Sequence, residues 1–318
     1  LGNYGAAYYT LLFDPRVHIG FIYRNNNFQN YFFSNNTIRY YQTRKPYTDL
    51  FYVAGSKKEQ SFRLIHSQNV GKNLNLAVNF KRIRSDGWYQ KQNTNQNHFS
   101  LSLNYASPDR RYFLLYNIIY NKLQCAENGG IPADSVFESG IFKDQKLLSV
   151  NLSSAERRMS NKSFYLRQDY VFGLKDSTAK ELNKGSKISY SVYAEDNSLV
   201  YEDKDPRSGY YANVYGDTLK TLDSTKYYKV ENAFSWKLLE NKKDGTRKKI
   251  GVDAGVKYQL IRLKQAPLDT LLGNIILNAS IFNYVNSDKL LCHVSARYVA
   301  DGCNQNDYEL NLNMKKVF

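Results

Sequence analysis

The feature that most constrains the fold is the alternation from Lys249 to Leu263, KIGVDAGVKYQLIRL. Ile250, Val252, Ala254, Val256, Tyr258 and Leu260 fall on one face, with Gly251, Asp253, Gly255, Lys257 and Gln259 on the other. A period of two belongs to an extended strand with one oily and one wet side. At about 3.3 Å per residue the strand is long for a soluble sheet, but it fits a tilted strand crossing a bilayer. The alternation recurs at Leu74, Leu76, Val78 and Phe80, and at Phe99, Leu101, Leu103 and Tyr105. It returns at Val230, Phe234, Trp236 and Leu238.

Composition narrows what such strands can build. Mean hydropathy is −0.59 and no run of 18 apolar residues exists, which excludes helical membrane spans. A barrel needs no such run, because only alternate residues face lipid. The 28 Tyr and 17 Phe suit a membrane–water boundary, although aromatics are also good strand formers. The formal charge of +15 suggests anionic lipid or an anion path; with the charges scattered and no basic helix or tail, nucleic acid is the weakest partner. The three cysteines show no metal-ligand spacing. Cys292 lies on an oily face as a small hydrophobe, and a Cys125–Cys303 bridge is the alternative use of the other two. The opening LGNYGAAYYT has no charged region followed by an apolar core, which suits a processed chain and a cytosolic one equally.

Residues 1–15 lack periodicity and read as a lead-in or inward-folded segment, and residues 16–318 read as the barrel. Strands are expected from Arg16 to Arg24, Thr37 to Thr43, Thr48 to Gly55, Ser61 to Val70 and Leu74 to Lys81. Further ones follow at Phe99–Tyr105, Tyr112–Leu123, Leu148–Leu152, Phe164–Leu174, Lys187–Glu202, Gly209–Tyr215 and Lys226–Glu240. The opening strand, Gly273–Tyr284, Lys289–Ala300 and Asp307–Phe318 complete the set. Short connections (44–47, 71–73, 108–110, 156–161, 203–208, 241–248, 286–288) alternate with mostly longer ones (25–36, 84–97, 124–145, 175–186, 216–225, 264–271). Only 56–58 breaks the scheme. The expected fold is all-β: a transmembrane up-and-down antiparallel β-barrel of about 16 strands (14–18), with short periplasmic turns and both ends periplasmic.

At YYQTRKPYTDLFYVAGSKKEQSFRLIHSQNV, RIRSDGWYQKQNTNQNHFSLSLNY and AENGGI the chain resembles the putative porin family of Bacteroidota outer membranes. The resemblance is densest from Leu1 to about Gly173, with only the alternation continuing beyond. It implies an outer-membrane barrel without catalytic residues. Members of the family usually run longer, so Phe318 is either a terminal aromatic of an assembly signal or a point where a longer chain is cut.

If the oily faces meet lipid, phase places Arg63, Lys81, Arg167, Lys229, Lys237, Lys257, Arg297 and Lys315 inside, joined by Asp169, Glu231, Asp253 and Glu309. Basic rings favour anions in a pore, whereas charges paired across strands only solvate the wall. The acidic loop 124–145, with Glu127, Asp134, Glu138 and Asp144 against Lys143, matches no calcium-loop spacing and reads as solvated. Basic turn residues Arg110, Arg157, Arg158, Arg207, Lys242, Lys243, Arg247 and Lys248 are candidates for headgroup contact, or are ordinary solvated turns. The histidines His18, His66, His98 and His293 offer one pair of interest, His293 with Ser295, and no acid is in register with it. The expectation is a passive, non-enzymatic channel for small hydrophilic solutes with a mild anion preference, in a bacterial outer membrane. The alternative is a plugged structural or docking barrel subunit. Expected partners are outer-membrane lipid and lipopolysaccharide, then a homo-oligomer or other envelope proteins; no cofactor, metal or nucleic acid is expected.

Overall fold

The computed structural model describes residues 3–9, 11–12, 19–23, 27–138, 140, 144–173, 184–213, 217, 219–240, 250–285 and 290–316. Twelve strands lie among them: β1 (Tyr47–Ala54), β2 (Gln60–Asn69), β3 (Leu74–Ser85), β4 (Thr94–Ala106), β5 (Tyr112–Ala126) and β6 (Glu156–Phe172) form the first half. β7 (Lys184–Asp203), β8 (Thr221–Glu240), β9 (Ile250–Gln265), β10 (Leu268–Val285), β11 (Leu290–Gly302) and β12 (Tyr308–Lys316) form the second. They make one antiparallel sheet in sequence order, each strand pairing with the next. β1 and β12 are its two edges, and no ladder joins them among the described residues. One five-residue helix, Asp134–Glu138, sits in the β5–β6 connection.

The strand count corrects the expectation of about 16. Four predicted strands are absent from the sheet: the described parts of 16–24 and 37–43, then 148–152 and 209–215 as far as it is described. Residues 16–18 and 24 lie outside the described residues, as do Tyr215 and Phe318. The described residues of these first two stretches have no strand partner and meet the sheet through single hydrogen bonds, such as the Phe21 N–H to Gln259 and Asn117 to the Tyr40 hydroxyl. Conversely, Glu156–Phe172 is one strand with no turn at Arg157. The sheet therefore starts at Tyr47, not at Arg16.

These differences undo the sorting of loops by length. The connections 127–155 and 204–220 share one end with 55–59, 86–93, 303–307 and the two-residue turn at Ala266–Pro267. The expected long loop at 264–271 is that tight turn. The connection 173–183 leaves from the opposite end, beside 70–73 and 107–111. The basic turn residues divide in the same way: Arg207 is at one end and Arg110 at the other, Arg157 and Arg158 are inside β6, and Lys242, Lys243, Arg247 and Lys248 lie outside the described residues.

The two faces separate as the alternation requires. Phe234, Trp236, Val256, Leu277, Ile281, Leu310 and Leu312 are exposed, whereas Ser102, Asn117, Ser189, Gln259 and Asn274 are buried. Such inversion, with apolar side chains outside and polar ones covered, is the arrangement a sheet takes when its outer solvent is hydrocarbon. β7 and β8 reach 20 residues each, beyond the ~9–11 that crossing a bilayer requires.

Candidate functional site

The covered face is the candidate site, and what covers it is the chain's own N-terminal segment. On β4 the inward residues Thr94, Gln96, His98, Ser100 and Ser102 are all buried, and none is charged. The Thr94 hydroxyl donates to the Tyr4 carbonyl at 2.7 Å and the Gln96 amide to the Gly5 carbonyl at 2.5 Å. Ser102 donates to the Arg39 carbonyl at 3.2 Å. Asn117 donates to Asn35 Oδ1 and to the Tyr40 hydroxyl, each at 2.7 Å. Asn121 brackets Phe33, accepting its N–H at 3.0 Å and donating to its carbonyl at 2.8 Å. A segment without a strand partner carries unpaired backbone groups, and amide side chains supply both a donor and an acceptor to meet them.

Apolar contacts reinforce the docking. Phe28 is fully buried against Leu123 and Cys125, with Tyr31, Phe32 and Met159 around them. The His98 imidazole is flanked by Phe32 and Phe33, with ring centroids 5.4 and 6.0 Å away, and it hydrogen-bonds Asn121 and Gln96. Gly5 adopts φ +84°, and a Cβ there would lie 2.9 Å from the Thr94 hydroxyl, so only glycine fits this approach. Residues of the segment also reach the far half of the sheet: the Phe21 N–H donates to Gln259 Oε1 at 3.0 Å, and Tyr23 packs on Tyr227. One segment touching both β4 and β9 means that the sheet curls around it.

The second half of this face is built differently. Lys229 pairs with Glu195 at 3.1 Å and approaches Glu231 at 3.8 Å, and Lys257 holds Glu231 at 3.2 Å. Gln259 donates to Glu231 at 2.8 Å and accepts from Asn274 at 3.0 Å. Arg167 of β6 and Lys187 of β7 share Asp169 at 2.8 and 3.4 Å. Arg297 pairs with Glu309.

All twelve wall candidates fall on the covered face by register, among them Arg63 opposite Lys81, Lys237 opposite Asp253, and Lys315 opposite Leu291. Most are neutralised there. Arg63 pairs with Asp49 at 3.2 Å, and Lys81 donates to the Tyr31 carbonyl. Lys237 lies over the Phe282 ring, 4.6 Å from its centroid. Gln96, Asn117, Asn121, Asn161, Glu195 and Gln259, none of them among the expected wall residues, make the face's hydrogen-bond framework. Strand phase alone marks them, since each shares the inward parity of its strand.

A sequence profile described as "Putative porin" matches residues 1–318, the whole chain. The chain belongs to that family. No curated protein matches the sequence. Among solved structures, the ferric-catecholate import receptor Fiu from E. coli K12, in its closed form, is similar with a TM-score of 0.52 at 11% identity. The match covers 84% of this chain and 42% of the receptor chain, so the porin-family chain spans less than half of that receptor's length. At this identity the likeness concerns the fold alone.

The remaining candidates of this porin-family chain are spread apart. His66 meets Thr48 at 2.8 Å, His98 is enclosed as described, His293 sits beside Ser295 on the covered face of β11, and His18 lies outside the described residues. The cysteines are free, Cys125 buried, Cys303 exposed and Cys292 half-buried, so the Cys125–Cys303 bridge that the sequence leaves open is not formed. In the acidic loop, burial raises the Glu127 carboxyl above its usual range while Arg157, 3.2 Å away, draws it back. Among the described residues no three His, Cys, Asp or Glu side chains come together as metal ligands.

Proposed function

We propose that the chain forms the wall of an outer-membrane diffusion channel for small hydrophilic solutes, with the bore set by the N-terminal segment. The observation that carries this reading is the two-faced sheet: exposed apolar side chains on one side, hydrogen-bonded polar and charged ones on the other. Membership of the porin family and the likeness to an import-receptor fold support a transport-related barrel. No side chain does chemistry in this scheme; passage depends on radius and on the charge pattern of the wall. The mild anion preference rests on Lys315 and on the basic partners outnumbering Asp169, while Asp253 opposite Lys237 and the ion pairs of Arg63, Lys229, Lys257 and Arg297 keep it small.

Steady single-channel conductance of the purified protein in planar bilayers is the expected result, with a small anion-directed reversal potential in a salt gradient. A silent bilayer at every protein concentration would remove the channel. A second reading, a plugged barrel serving as a docking subunit, is favoured by the segment's contacts with both β4 and β9. The same silent recording is what that reading requires.

A further inference from the structure

Between the N-terminal segment and the inner side of β6–β8 lies a cavity of about 560 Å³, within the range that encloses a small ligand. Among the described residues its only charged lining side chains are Glu195 and Lys229, which pair with each other at 3.1 Å. The described lining is therefore electrically balanced, with no free charge among these residues to receive an ionic ligand. Aromatic faces come from Phe21, Tyr23, Phe33, Tyr193 and Tyr227, and between them stand amides and hydroxyls.

One amide nitrogen has no partner among the described residues. Asn161 donates to Asn197 Oδ1 at 2.7 Å, which fixes the Asn197 side chain so that its Nδ2 is the free end. That nitrogen is buried with no hydrogen-bond acceptor among the described residues, on a residue that lines the cavity. A buried donor left unmatched is costly, and an acceptor on a ligand relieves it.

We infer that this cavity binds a neutral saccharide, its hydroxyls meeting Asn197 and neighbouring polar groups and its C–H faces lying on the aromatic rings. A saccharide alternates hydroxyl edges with apolar faces, as the lining does. A peptide would bring charged termini for which Glu195 and Lys229, already paired, offer no counterpart. As a statement about the transported solute the inference rests on the channel reading above; as a statement about binding it stands on the cavity.

The test titrates the full chain in detergent micelles with glucose and sucrose, using glucose 6-phosphate and glucosamine as charged comparators, followed by calorimetry and saturation-transfer NMR. Saturable binding of a neutral sugar is expected, with both charged comparators at least about tenfold weaker, since placing an unpaired charge in a balanced site is unfavourable. Asn197→Leu should weaken sugar binding about tenfold through the lost hydrogen bond. Tyr23→Ala, outside the sheet, should weaken it with no change in strand content by circular dichroism. Saturation by neither sugar, comparators binding as tightly, or both variants matching the parent would each overturn the site. Sugar binding with silent bilayers would sink the channel and leave the site standing; conductance without sugar binding would do the reverse.

Discussion

The inner side of β4–β5 and the inner side of β8–β11 belong to one continuous sheet, yet they solve different problems. On β4 and β5 the inward positions are Thr94, Gln96, His98, Ser100, Ser102, Asn117 and Asn121, buried and uncharged. On β8, β9 and β11 they include Lys229, Glu231, Lys257 and Arg297, held in ion pairs. Neutral groups with both donors and acceptors suit a surface that receives backbone, because an amide can answer an N–H and a carbonyl together. Charged groups suit a surface that stays wet, because an ion keeps its solvation there. Where the strands carry Asn, Gln and Ser inward, the segment docks through hydrogen bonds to its backbone; where they carry Lys and Glu inward, the charges pair chiefly with one another.

The largest effect that tests this contrast is removal of residues 1–46. It strips the cover from β4 and β5 and leaves the ion pairs of β8–β11 in place, so single-channel conductance should rise several-fold. Unchanged conductance would mean that the segment does not set the bore. Next in size is Asn121→Leu, which leaves the Phe33 N–H and carbonyl, His98 and Asn161 without their shared partner. Each orphaned buried group costs about 1–3 kcal/mol, so a loss of several kcal/mol is expected in denaturant unfolding, with faster hydrogen exchange at the Phe33 amide. Equal exchange in variant and parent would break the assignment of Asn121 as the segment's anchor.

Glu231→Gln probes the other side and should do less to stability. Lys229 keeps Glu195, and Lys257, with 38% of its side chain exposed, regains water. A cost of no more than about 1 kcal/mol is expected, alongside a reversal potential shifted towards anions, because one negative charge has left the wall. A destabilisation as large as that of Asn121→Leu would erase the distinction between the two regions.

Much of this was legible in the sequence, for a physical reason: strand parity is a local property, and the inward and outward positions followed from it at Lys257, Glu231, Leu101 and Ser102. The strand count was less so. Residues 37–43 and 148–152 show short alternations that a strand would also show, and only the presence of a partner separates the two cases. The docking of the segment was hidden because it rests on pairs far apart in the chain, such as Tyr4 with Thr94 and Phe21 with Gln259. Charge as the mark of the inner wall points to Lys81 and Arg167 and leaves out Gln96 and Asn121.

The smallest effect lies within the wet half and concerns a glycine. Gly251 faces inward directly opposite Phe282, and a Cβ on it would fall 1.8 Å from the ring's Cζ. The ring therefore lies on bare backbone, covering a position where a strand interior would otherwise lack a side chain. Lys237 sits over the same ring from β8, tying three strands together. Phe282→Leu should cost about 1 kcal/mol by uncovering that backbone and releasing the lysine. Gly251→Ala should cost at least as much, because the ring must swing away. The double variant should cost less than the two together, since leucine leaves room for the new methyl group. Simple additivity in the unfolding free energies would show that the ring and the glycine do not act as a pair. The charged half of the wall would then be held by its ion pairs and ladders, without this packing.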